Sequence, residues 1–261
     1  DEASEMMDEV TEVSKRLFKY NMNVIELKKE IQSHFKNRIL KKLIDSVSEL
    51  GQAATETIYL IKIKDQLPDS TEVSRINGSP IGVTETTWPK NDDGEPFEHL
   101  FTLDLTKLPE IRKRGLEKYS AAALFVQDRD CHTAFSPYSP DISVVLLTDE
   151  DLKTGELDKP LRIYDEDEYE APAQSYVIEE LQVPASLFEL EDAEEPDEKL
   201  EELLGEIWDS CDAICSPVPI MISKDEHFEQ FLCVFSGSFI DISCGDGGFM
   251  FMYSDTAFVP E

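Results

Sequence analysis

Thiol and imidazole side chains offer the most distinctive chemistry in this sequence, and both are few. There are five cysteines (Cys131, Cys211, Cys215, Cys233 and Cys244) and four histidines (His34, His99, His132 and His227). A zinc site needs several such groups converging on one point. Cys211, Cys215, His227 and either Cys233 or Cys244 supply the ligand types. Their spacing matches no common zinc pattern, and the Ile, Pro and aromatic residues around them predict buried free cysteines instead. Cys131 and His132 are adjacent, and neighbours on a strand point to opposite faces, so they make a poor nucleophile and base. The sequence has no phosphate-binding loop, dinucleotide fingerprint, His-Glu-x-x-His or Cys-x-x-Cys. Gly245-Asp246-Gly247-Gly248 precedes a strand rather than a helix, so it reads as a hairpin turn, not a phosphate cradle. The 56 acidic residues are too many to nominate an acid and base pair, and none follows the twelve-residue calcium loop pattern. The expectation is a protein without a catalytic centre and without a cofactor.

The carboxylates matter more for their sum. Against 24 basic residues they give a formal net charge of -32. Such a chain repels nucleic acids and anionic membranes and attracts basic proteins or cations. The charge is uneven. Residues 1–64 hold 11 acidic and 11 basic side chains, so the whole surplus lies after residue 64. Residues 149–202 hold 21 acidic and 4 basic side chains, a local net of -17. Crowded like charges stay solvated and repel one another, so this stretch is either a surface loop or a docking surface. An odd, irregular set of cysteines suits a reducing compartment, and the cytoplasm is expected. No apolar run reaches the roughly eighteen residues of a membrane span.

The elements that would carry these groups follow from periodicity. Val10, Val13, Leu17 and Tyr20 recur at helical steps, as do Val24, Leu27, Ile31, Phe35, Ile39, Leu43, Val47 and Leu50. Asn23 and Glu26 resemble a capping box, and Gly51 sits where the helix would end. Lys28, Lys29, Lys36, Arg38, Lys41 and Lys42 form a basic face off the stripe. The stripe is expected to pack on the protein's own core, with a helical dimer as the alternative. From Thr57 the period becomes two, which predicts a strand. Further strands are expected at 100–105, 121–127, 143–148, 175–181, 219–223, 231–235, 239–243 and 249–253, and a helix at 196–209. Many short strands with few helical crossovers predict an α+β protein: an N-terminal helical segment (1–56) followed by a mainly antiparallel acidic β body (57–261).

Two segments echo one another. Phe97-Glu98-His99-Leu100-Phe101-Thr102-Leu103 is matched by Phe228-Glu229-Gln230-Phe231-Leu232-Cys233-Val234, each leading through a glycine to a second apolar strand. This predicts a duplicated strand-loop-strand unit within one body.

The order of short motifs adds a resemblance. Ser74-Arg75-Ile76-Asn77-Gly78-Ser79-Pro80 leads to Trp88-Pro89, Gly94-Glu95-Pro96, an apolar strand and Leu108-Pro109. Later come Leu203-Leu204-Gly205, the strand at 231–235 and Cys244-Gly245-Asp246-Gly247-Gly248. This order, over roughly residues 70–261, resembles the YwqG-like family of bacterial proteins. The sequence departs from the family at Thr102, where the family has glutamine, and at Cys244, where it has tryptophan. Ile207-Trp208-Asp209-Ser210 stands where the family has Pro-Asp-x-x-Gln. The resemblance implies a duplicated α+β fold and no established reaction. Relatives encoded near polymorphic toxins imply an immunity role.

Together these readings predict a non-catalytic protein, an immunity protein that neutralises a basic toxin, such as a nuclease, through an acidic surface. Candidate partner-binding residues are Tyr164, Asp165, Glu166, Asp167, Glu168, Tyr169, Glu191, Asp192, Glu194 and Glu195, the carboxylates for steering and the tyrosines as anchors. The alternative is a metal-binding protein or enzyme using clustered carboxylates or the cysteines.

Overall fold

The computed structural model describes residues 36–45, 47, 55–64, 66–127, 141–155, 157, 160–161, 173–189, 198–218, 231–236, 249–254 and 257–258. Helix α1 covers 36–45. The chain then forms β1 (Thr55–Ile63), β2 (Arg75–Ile76) and β3 (Glu98–Asp104), followed by a 3-10 turn at Leu105–Lys107 and the short α2 (Pro109–Arg112). Next come β4 (Ala121–Val126), β5 (Ile142–Leu147), α3 (Asp149–Leu152) and β6 (Gln174–Pro184). After a 3-10 turn at Ala185–Glu189 lie α4 (Glu198–Ser210), β7 (Ala213–Cys215), β8 (Phe231–Ser236), β9 (Phe249–Tyr253) and β10 (Ala257–Phe258). The expected strands at 219–223 and 239–243 lie outside the described residues.

Among the described residues, one ten-stranded sheet holds these strands in the order β10-β9-β8-β7-β1-β6-β2-β3-β4-β5, and every strand pairing is antiparallel. The outermost strands, β10 and β5, come near one another, so the sheet is nearly closed. Shifting every strand number by five reverses this order onto itself. The β1–β6 pair lies at its centre, and each half is built partly on the first strand of the other. The symmetry extends to detail. The register slips at a bulge between His99 and Phe101 in β3, and between Phe231 and Cys233 in β8. Those bulges match Leu100 with Leu232, one residue away from the match that the sequence echo gives.

Alternation along each strand sorts the side chains into three apolar layers. The inner face holds Tyr59, Ile61, Ile76, Phe101, Leu124, Tyr176, Cys215, Cys233, Phe235 and Met252, with Leu105, Leu108 and Ile111 packed against them. The outer face of one half (Ile58, Leu60, Ile214, Phe231, Val234 and Phe251) is covered by Leu200, Leu203 and Ile207 of α4 and by Leu40 and Val47. The outer face of the other half (Ala121, Ala123, Phe125 and Leu147) is covered by Val83, Trp88 and Phe97. Parallel-type crossovers are not needed, because short antiparallel strands can return through loops.

Leu40, Leu43 and Ile44 of α1, with Val47 just beyond it, are wholly or partly buried in the same outer layer as the apolar face of α4. Leu40 is off the predicted stripe, so the apolar face is wider than the sequence reading drew it. Lys36 Nζ donates to the carbonyl of Asp209 at 2.5 Å, where a cation meets the end of α4. The proposed cap at Asn23 and Glu26 and the stop at Gly51 lie outside the described residues.

Candidate functional site

Among the described residues, the polar residues that the sheet buries concentrate in one half. Register places Ser175, Arg75 and Thr102 side by side on the outer face. At the symmetric places in the other half stand Leu60, Ile214 and Val234. A buried guanidinium needs full compensation. Arg75 obtains it from backbone carbonyls: Nε donates to Glu72 (3.0 Å), Nη1 to Ser79 (2.6 Å), and Nη2 to Glu72 (2.8 Å) and Asp69 (3.2 Å). It therefore pins the 69–79 loop onto the sheet. The loop turns at Asn77 and Gly78, both left-handed with φ of 58° and 68°, which the short Asn side chain and the bare glycine allow. His99 completes this cluster. Its Nδ1 lies 3.0 Å from the Gly78 carbonyl and its Nε2 lies 2.7 Å from Thr102 Oγ1. A carbonyl only accepts, so Nδ1 carries the proton and Nε2 accepts from the hydroxyl. Burial lowers the imidazole pKa to about 3, so the ring is neutral.

A second network adjoins it. Tyr176 Oη donates to the Thr102 carbonyl (2.6 Å) and accepts from Asp104 N (3.2 Å). Lys107 Nζ donates to Ser74 Oγ (2.8 Å) and ion-pairs with Asp104 (3.2 Å). A serine beside a lysine can form a nucleophile and base, but this pair is not arranged for it. Ser74 is fully buried, and Lys107 donates to its hydroxyl while also pairing with the Asp104 carboxylate, so both side chains are engaged in tying the loop to the sheet. Burial also raises the Tyr176 phenol well above its ordinary pKa, so it stays protonated. Both networks hold loops to the sheet. Sequence reasoning missed them because their members lie far apart along the chain, as with Ser74 and Lys107. The Asn77-Gly78 pair was the available signal of a left-handed turn.

The cysteines separate. Cys215 and Cys233 face one another across β7 and β8 on the inner face, fully buried. Cys211 sits with the outer layer, its thiol donating to the Ile207 carbonyl at 3.2 Å, and burial pushes that thiol up to about 12. Among the described residues, no three His, Cys, Asp or Glu side chains are placed to hold one metal ion. His227, Cys244, Cys131 and His132 lie outside the described residues. Trp88 is a core residue: Nε1 donates to the Phe97 carbonyl at 2.7 Å, and its ring meets Phe125 edge-on with centroids 5.2 Å apart. Trp208 is half-buried against Phe249.

All ten candidate partner-binding residues, from Tyr164 to Tyr169 and from Glu191 to Glu195, lie outside the described residues. Nearby described carboxylates do point outward. Glu198, Glu201, Glu202 and Asp209 are exposed on α4, and Glu179 and Glu180 are exposed on β6. Lys62 Nζ pairs with Glu179 at 2.5 Å. A shallow cleft of about 580 Å³ opens beside Glu85, Thr86, Lys90, Pro96 and Leu161. Compared with models of known protein families and with curated proteins, the chain matches none.

Proposed function

We propose that this is a non-catalytic protein-binding protein, most concretely an immunity protein that captures a basic toxin through its acidic surface. The carrying observation is the net charge of -32, concentrated so that residues 149–202 alone hold 21 acidic side chains. A nuclease groove that must hold phosphate is basic, and an acidic cover would steer to it and occupy it. The outward carboxylates of α4 would extend such a surface. The symmetric strand order is what two copies of one five-strand unit would give, and this fits the implied YwqG-like fold. The polar networks, used up in fixing loops, suit a scaffold more than a reaction centre. The test is copurification with the product of the adjacent gene at rising salt. Association at low salt that weakens steadily as salt rises is expected. No association at low salt, or association indifferent to salt, would overturn the acidic-surface reading.

A further inference from the structure

The inner face of the sheet carries a row of sulfur that neither the acidic surface nor the polar networks use. Cys215 pairs with Cys233, and Cys233 pairs with Met252, so three consecutive strands present sulfur side by side. All three residues are fully buried in the central layer. Cys233 Sγ lies 3.9 Å from Met252 Sδ, and Cys215 stands directly across from Cys233 in the β7–β8 register. The symmetric row in the other half serves as an internal control. It is Ile76, Phe101 and Leu124, equally buried and all hydrocarbon. At these matching positions, hydrocarbon alone fills the layer.

We propose that Cys215, Cys233 and Met252 form a binding site for a soft monovalent metal ion of the copper(I) class. Thiolate and thioether sulfur select such ions, whereas calcium and magnesium require oxygen. The charge also fits. The ion displaces one thiol proton to solvent and binds one thiolate, one thiol and one thioether, giving a neutral unit. Neutrality is what a fully buried position demands. The metal enters and stays monovalent, so no oxidant or reductant takes part. Zinc with both thiolates would also be neutral. However, thioether is a poor zinc ligand, and no third His, Cys, Asp or Glu joins the row among the described residues.

The test is anaerobic titration of the full chain, kept reduced, with copper(I) in competition with a coloured copper(I) chelator. The wild type is expected to withdraw one equivalent. Met252→Leu, a volume-conserving change, is expected to weaken binding by roughly tenfold or more. The double variant Cys215→Ala, Cys233→Ala is expected to withdraw none. Copper(I) is also expected to raise the melting midpoint of the wild type and not that of the double variant. The proposal is overturned if the wild type withdraws no copper(I), or if Met252→Leu binds as tightly as the wild type. The same stoichiometry in the double variant would place the metal on other cysteines and overturn it equally. Should the double variant fail to fold, as judged by circular dichroism, Met252→Leu alone decides. None of these outcomes bears on toxin binding, so the two readings fail separately.

Discussion

His99 shows what a single buried side chain costs and what it secures. It is neutral in the fold, with a pKa of about 3, whereas in the unfolded chain it takes a proton below about 6.5. Between those values the unfolded state binds more protons, so stability present above pH 6.5 is lost as pH falls, at about 1.4 kcal/mol per pH unit. His99→Gln removes this share. Urea unfolding at pH 7.5 and pH 5 should show the wild type losing about 2 kcal/mol more than the variant on acidification. An equal loss in both would mean that His99 is not the buried neutral imidazole described. Tyr176 makes a parallel case without titration. Tyr176→Phe leaves the Thr102 carbonyl and the Asp104 amide without the phenol that bonds both. A loss of about 1–3 kcal/mol in the unfolding free energy is expected. At this scale the sequence was partly legible. Cys215 and Cys233 read correctly as buried free cysteines, because apolar neighbours predict burial. Arg75 and His99 did not stand out, since a polar residue gives no local sign that distant carbonyls will meet it.

Elements follow from periodicity wherever they are long enough to have one. The helix expected at 196–209 is α4, Glu198–Ser210, and its buried Leu200, Leu203 and Ile207 are spaced as a helix requires. Leu203→Ala should cost about 2–5 kcal/mol in chemical denaturation, because the residue is fully enclosed by the outer layer. A loss under 1 kcal/mol would mean that α4 is not docked as described. The strands β2, β7 and β10 went unread because two or three residues cannot display a period. Turn chemistry decides the entry to β3's partner loop. A Cβ on Gly78 would meet the Ala173 side chain at 3.0 Å, and its φ of 68° is left-handed. Gly78→Ala should therefore destabilise by roughly 1–3 kcal/mol. Ala173→Gly in the same chain should relieve the steric share while leaving the backbone strain, which melting of the double variant would reveal.

At the scale of the whole molecule, the proposed association rests on net charge, and its salt dependence is the check. The surface carboxylates on α4 and β6 should hold basic proteins at low ionic strength and release them as the screening length falls below about 8 Å, above physiological salt. Binding of a basic probe protein, followed by calorimetry from 20 to about 500 mM salt, should weaken monotonically. Reversal of Glu198, Glu201 and Glu202 to Lys should weaken it further at low salt, and an unchanged affinity would remove α4 from the surface. The sequence by itself determined the charge and its address, the mixture of helix and strand, the antiparallel character and an echo between two strands. These are properties of composition and local period, which need no knowledge of distant neighbours. Only the tertiary structure decided the order of the strands, with each half built on the other's first strand. Only it decided that one outer face buries Arg75 and His99 while its counterpart buries Ile214 and Phe231. It alone brought Cys215, Cys233 and Met252 into one row. Pairing register is set by which strands meet across the sheet, and strands far apart along the chain carry no local record of that meeting.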